Sequence, residues 1–138
     1  MDADNILFFI HKNTNNNIVV YELKGDNIDT YWLLDRKKRI ELGVIEKRLA
    51  YGIKAHKDGC LSLCAFEKKF RIKNKRIVIK IHNTECYLTD VYSHIEGTFL
   101  RFPKVEYVII NGVSVDSGVK MTEKIVSEVK WNININIL

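Results

Sequence analysis

Apolar and polar residues exchange places every second position over most of this 138-residue chain, and that alternation limits the folds open to it more than any other feature. A strand points successive side chains to opposite faces, so period two belongs to half-buried β-strands and not to helices. Residues 6–12 and 18–23 flank the polar run NTNNN, which reads as a hairpin loop, and Lys24-Gly25-Asp26-Asn27 reads as a turn before a strand at 28–34. Further strands are expected at 60–70, 76–82, 86–94, 99–102 and 105–110, with turns at KNK (73–75), at Asn111-Gly112 and at 115–118. Residues 119–129 fit a strand or a short helix. In the tail WNININIL, Trp131, Ile133, Ile135 and Ile137 share one face. Only ELGVIEKRLAYG breaks the rule: Leu42, Ile45 and Leu49 recur at helical spacing, and Gly52 offers a stop. The expected fold is all-β. It is a single domain over 1–138, a barrel or sandwich of about eight short, mostly antiparallel strands with at most one short helix.

Charge is spread far less evenly than hydrophobicity. The net is +5 and the pI about 9.1. Between Arg36 and Lys80, however, fifteen Lys/Arg stand against four Asp/Glu, while the remainder holds seven against thirteen. The stretch KKFRIKNKRIVIK (68–80) has seven cations and no acid. Like charges across a hairpin repel, so this density points to an anionic partner, or else to an edge guarded by charge against aggregation. Alternation places Lys69, Arg71 and Lys73 on one face and Phe70 and Ile72 on the other, with Lys73, Lys75 and Arg76 crowding the turn. These cations form the candidate RNA-binding set together with Lys68, the run Arg36, Lys37, Lys38 and Arg39, and Lys47, Arg48, Lys54 and Lys57 around Tyr51. No RNP-type aromatic motif, KH loop or recognition helix accompanies them. The expected recognition is therefore of phosphate backbone and shape.

Reaction chemistry finds little to stand on. Cys60-x3-Cys64 and His82-x3-Cys86 are spaced like ligand pairs. Four residues along a strand span about 13 Å, too far for two ligands of one zinc. Three cysteines, an odd number, suit free thiols in a reducing compartment. Nucleophile-elbow, P-loop, dinucleotide and zincin motifs are absent, and His11, His56, His82 and His94 are scattered. The expectation is a non-enzyme with no catalytic residues, no metal and no cofactor. A rival reading is a small-molecule-binding barrel lined by Trp32, Tyr87 and Tyr107. The start of the chain, with two acids and a five-residue apolar run, does not read as a signal peptide, and no stretch approaches membrane-spanning length. A cytoplasmic location is expected.

Several stretches carry a resemblance: N-I-L-F-F-I and I-V-V-Y within 5–21, Tyr31-Trp32, R-L-A-Y-G at 48–52, and V-E-Y-V-I-I-N-G followed by E-K-I within 105–125. With these the chain resembles a little-characterised family of β-domains of unknown function found in bacteria and eukaryotes. Within it, the likeness is to the dormancy factors of microsporidia that bind the ribosomal exit (E) site. That resemblance implies a ribosome hibernation factor that binds as a monomer to rRNA and ribosomal proteins near the E site. It would exclude tRNA, inhibit translation and need no small-molecule substrate. Where the family pattern has a basic residue after the first strand, this chain has His11.

Overall fold

The alternating segments become strands, and the strands join into one sheet. The computed structural model describes residues 5–99 and 102–126. Its strands are β1 (Ile6–Lys12), β2 (Ile18–Lys24), β3 (Asn27–Leu34), β4 (Lys38–Glu41), β5 (Ile53–Ala55), β6 (Leu61–Leu63), β7 (Phe66–Lys73), β8 (Arg76–Ile81), β9 (Thr84–Phe99), β10 (Phe102–Ser114) and β11 (Lys120–Val126). The all-β expectation holds, and so does the single short helical segment. The strand count does not: eleven strands, against about eight expected, form a curled half-barrel. The additional strands are short. β4 lies in the exposed basic run, β5 follows the helical segment, and a turn at Cys64-Ala65 splits the expected strand 60–70 into β6 and β7. Strands of three or four residues are held by ladder bonds to their neighbours, which local pattern does not record. β4, exposed at every residue, pairs Tyr31–Leu34 of β3.

β9 organises the sheet. β10 pairs with it from Cys86 to Phe99 along one edge. On the other edge β8 pairs antiparallel with Thr84–Tyr87, and β1 pairs parallel with Asp90–Ser93. Because β8 and β1 take successive lengths of one edge, the sheet forks there into two wings, β1–β4 and β5–β8. The wings meet face to face. Phe8 of β1 stacks on Tyr21 of β2 at 4.2 Å and meets Phe70 of β7 edge-on at 6.2 Å. Ile77, Ile79, Ile81, Cys86, Val91 and Ile110 complete this buried face. On the opposite face of the first wing, Ile18, Val20 and Tyr31 form a second buried cluster with Ile6, Phe9 and Leu33. β2 is thus buried on both sides, which is why its IVVY run is continuously apolar.

The one departure from strand periodicity carries the chain from one end of the sheet, β4, to the other, β5. A helical turn, α1 (Val44–Glu46), runs into a π turn (Lys47–Tyr51). Trp32 Nε1 donates to Glu46 Oε2 at 2.5 Å, Tyr21 donates its hydroxyl to the Tyr51 carbonyl at 2.7 Å, and the Trp32 and Tyr51 rings meet edge-on at 5.2 Å. Gly52 ends the segment as expected, because a Cβ there would lie 1.8 Å from the Lys47 carbonyl oxygen. Asn111-Gly112, expected as a turn, instead lies inside β10. There Gly112 lets the backbones close, since a Cβ would lie 2.6 Å from the Tyr87 carbonyl. The NININIL tail lies outside the described residues. Among the described residues no helix is long and apolar enough to cross a membrane.

Two substitutions test this bridge. Gly52→Ala should cost about 2 kcal/mol or more in urea denaturation, because the new methyl meets backbone that cannot move aside. Burial, with Glu46 nearby, pushes the Tyr51 hydroxyl up to about 12, and burial holds that of Tyr21 well above the ordinary tyrosine value. Above about pH 10 the unfolded chain releases protons that the folded chain retains, so stability falls as pH rises from about 10 to 12. Tyr51→Phe should flatten that fall in thermal melts. A slope identical to that of the parent would show that Tyr51 does not titrate with unfolding.

Candidate nucleic-acid interface

β7 is an amphipathic strand whose polar face is basic. Phe70 is buried, while Lys69, Arg71 and Lys73 are exposed on the other side, as alternation demands. β8 continues the pattern across the hairpin, with Arg76 opposite Lys73 and Val78 opposite Arg71. Lys54 of β5 is exposed opposite Ser62. Lys80, outside the candidate set, joins the same outer face by the alternation of Arg76, Val78 and Lys80. Its register partner is Glu85. The signal was legible in the sequence, since Lys80 closes the acid-free stretch 68–80.

The hairpin tips are the most unusual feature of this surface. In the β7–β8 turn Asn74 (φ 54°) and Lys75 (φ 61°) are both left-handed, and in the β3–β4 turn so are Asp35 (φ 51°) and Arg36 (φ 59°). Positive φ at both central positions is the type I′ pattern, whose preferred sequences are Asn-Gly and Asp-Gly. Here the glycine position is taken by Lys75 and by Arg36. A left-handed non-glycine residue costs about 1 kcal/mol. The β2–β3 turn, by contrast, uses Gly25 (φ 60°).

The fourteen candidate residues are spread over both wings and the bridge between them. Arg36, Lys37, Lys38 and Arg39 lie at the β3–β4 end of the first wing. Lys47 and Arg48 lie in the π turn, Lys57 in the β5–β6 loop, and Lys54, Lys68, Lys69, Arg71, Lys73, Lys75 and Arg76 belong to the second wing. Some cations are already engaged. Arg39 bonds Asp29 at 2.5 Å and covers the Tyr31 ring at 3.9 Å. Lys68 points to the inner side, 2.8 Å from Glu123, whose carboxylate also accepts the His82 N–H at 2.9 Å. Lys69 meets Asp58 at 2.9 Å; that bond and the Cys60 N–H pull the exposed Asp58 carboxyl down to about 2. Among the described residues Arg71, Lys73, Lys75, Arg76 and Lys80 form no ion pair. Arg76 lies over the Tyr87 ring at 3.9 Å and Arg71 donates to the Cys60 sulfur at 3.6 Å.

The residues of the rival reading part company. Tyr87 lies on the outer face beneath Arg76, and Trp32 is packed beside Tyr51. Tyr107 alone of the three borders a cavity of about 350 Å³ between the π turn and the inner face of β9–β11, while its ring lies on the outer face, stacked on that of His94. Cys60 and Cys86 are buried and Cys64 is exposed, all as free thiols. Sequence reading missed two pairings that only folding creates: His11 Nε2 lies 2.7 Å from Asp90, and His56 Nε2 lies 2.7 Å from the buried Ser62 hydroxyl.

A family model described as a domain of unknown function (DUF4833) matches residues 8–124. The chain belongs to that family. The DUF4833 match reaches every strand from β1 to β11, assigns no activity and does not link the chain to a dormancy factor. No curated protein and no solved structure matches significantly.

The geometry separates structural from free cations within this DUF4833 domain. Lys68→Ala leaves Glu123 without its cation and should cost about 1–2 kcal/mol of stability, while shifting the salt at which the protein leaves heparin less than Lys73→Ala does. A larger heparin shift from Lys68→Ala would reverse the assignment.

Proposed function

We propose that this protein is a non-catalytic RNA-binding domain that lays the outer face of its β5–β8 wing on folded RNA. The observation that carries this reading is the group Arg71, Lys73, Lys75, Arg76 and Lys80. Five exposed cations on one hairpin form no ion pair among the described residues, with Glu85 opposite Lys80 the one carboxylate in register with them, and one of them holds a backbone conformation that glycine would adopt at lower cost. Mutual repulsion and left-handed strain both oppose folding, and a partner that neutralises several charges at once offsets both. Phosphates do so with release of counterions.

The proposed RNA is ribosomal, and the resemblance of the stretches at 5–21, 48–52 and 105–125 supports that address. The domain then acts in the cytoplasm as a hibernation factor, a monomer on the ribosome that fills the exit site and excludes tRNA. Its remaining surface, richer in acids, turns to basic ribosomal proteins and sets its orientation. No cofactor enters this mechanism. The cavity of about 350 Å³ favours a second reading, binding of a small apolar molecule against Val91, Val108 and Ile125.

Sedimentation of cell lysate at low and high salt separates the two. Comigration with ribosomes that fades as salt rises is expected; a protein that stays at the top of the gradient at every salt would reject the ribosomal reading. Reversing Arg71, Lys73 and Lys80 to Glu should flatten the salt dependence of log K by about 2–3, against little change on reversing Lys24, Lys120 and Lys124. Equal effects would remove the patch. Lys75→Gly makes the sharpest test. It should raise stability by about 1 kcal/mol while weakening RNA binding, and unchanged binding would make the strained tip irrelevant to it.

A further inference from the structure

On the outer face of β9, about 23 Å along the strand from its contact with β8, three donor side chains converge. We infer that His94, Glu96 and Glu106 form a site for a divalent transition-metal ion, with zinc the best-suited. His94 and Glu96 are two residues apart on β9 and share its face, with His94 Nε2 2.8 Å from Glu96 Oε1. Glu106 reaches them from β10 because the pairing slips there. Val105 pairs with Ile95 and Tyr107 with His94, which leaves Glu106 as an extra residue. Such bulges re-aim side chains. One atom from each of the three residues lies within 4.8 Å of the others. Bonds of 2.0–2.2 Å in a tetrahedral site set ligand atoms about 3.3 Å apart, a closure within reach of two exposed glutamates.

The imidazole is held as a ligand requires. Its Nδ1 lies 3.0 Å from the Tyr92 hydroxyl, and its ring is parallel to that of Tyr107 (interplanar angle 2°) at 4.7 Å. A partner on the other ring nitrogen fixes tautomer and orientation in metal-binding histidines, and leaves Nε2 to the ion. The two carboxylates add the second argument. Asp90, on the same face, has its charge met by His11 at 2.7 Å and Asn111 at 3.0 Å. Glu96 has the His94 imidazole at 2.8 Å and Lys104 opposite it in the register, whereas the exposed Glu106 carboxylate reaches the same point with no ion pair among the described residues, and the nearby Lys124 ammonium lies over the Tyr107 ring at 4.1 Å instead. One imidazole and two carboxylates suit zinc, and the exposed fourth position is left to water.

The test titrates ZnCl₂ into the full chain by calorimetry, in a Cys64→Ser background so that the exposed thiol takes no part. One equivalent with a dissociation constant in the micromolar range is expected. Glu106→Gln and Glu96→Gln should each weaken it at least tenfold, while His56→Gln and His82→Gln leave it unchanged. Both glutamates are exposed, so metal-free melting of their variants should match the parent. Mn²⁺ should broaden the His94 and Tyr107 ring resonances ahead of others. No binding below millimolar zinc, or affinity indifferent to both glutamate substitutions, would overturn the site. Neither result bears on the basic wing, which shares no residue with it.

Discussion

Everything in this fold hangs on one strand being shared by three others. β9 gives one edge to β10 and divides the other between β8, antiparallel, and β1, parallel. A single edge cannot continue into two neighbours without the sheet parting, and the parting creates the two wings. Once parted, the wings close on each other through Phe8, Tyr21 and Phe70, because leaving those rings in water would forgo several kcal/mol of burial. The helical bridge is then a consequence. The chain must pass from β4 to β5, from one end of the sheet to the other, and Trp32, Glu46 and Tyr51 tie that passage to the core.

The same division sorts the chemistry. Outward residues of the second wing are cationic, and those at the far end of β9 are carboxylate and imidazole. These surfaces lie at opposite ends of one long strand, so the molecule is electrically two-ended, which favours one orientation on an anionic partner. Strain adds weight to the cationic end. At its tip Lys75 stands at a tight-turn position that glycine would fill more cheaply, and the inference runs from that observed conformation towards function, not the reverse.

Much of this could be read before folding. The split of β7 into a basic and an apolar face, the hairpin at NTNNN, the stop at Gly52 and the basic tip at 73–76 all follow from the order of residue types over a few positions. Where reading failed, the failures share a cause. β4 and β5 have too few residues to alternate, Gly112 looks like a turn until Tyr87 is seen behind it, and Lys68 counts as a free cation until Glu123 arrives from 55 positions away.

By itself, then, the sequence determined that strands form, which way their side chains point and where positive charge gathers, since each depends on neighbours one to four residues apart. Tertiary structure alone decided which strands pair, where the sheet forks, which cations are neutralised and that Glu106 meets His94. Those outcomes depend on contacts between residues far apart in the chain, and on register slips worth a single residue. Beyond such a slip the alternation resumes with its phase inverted, as from Val105 to Val108, and the sequence does not say whether that break is a bulge, a turn or a polar residue on a buried face.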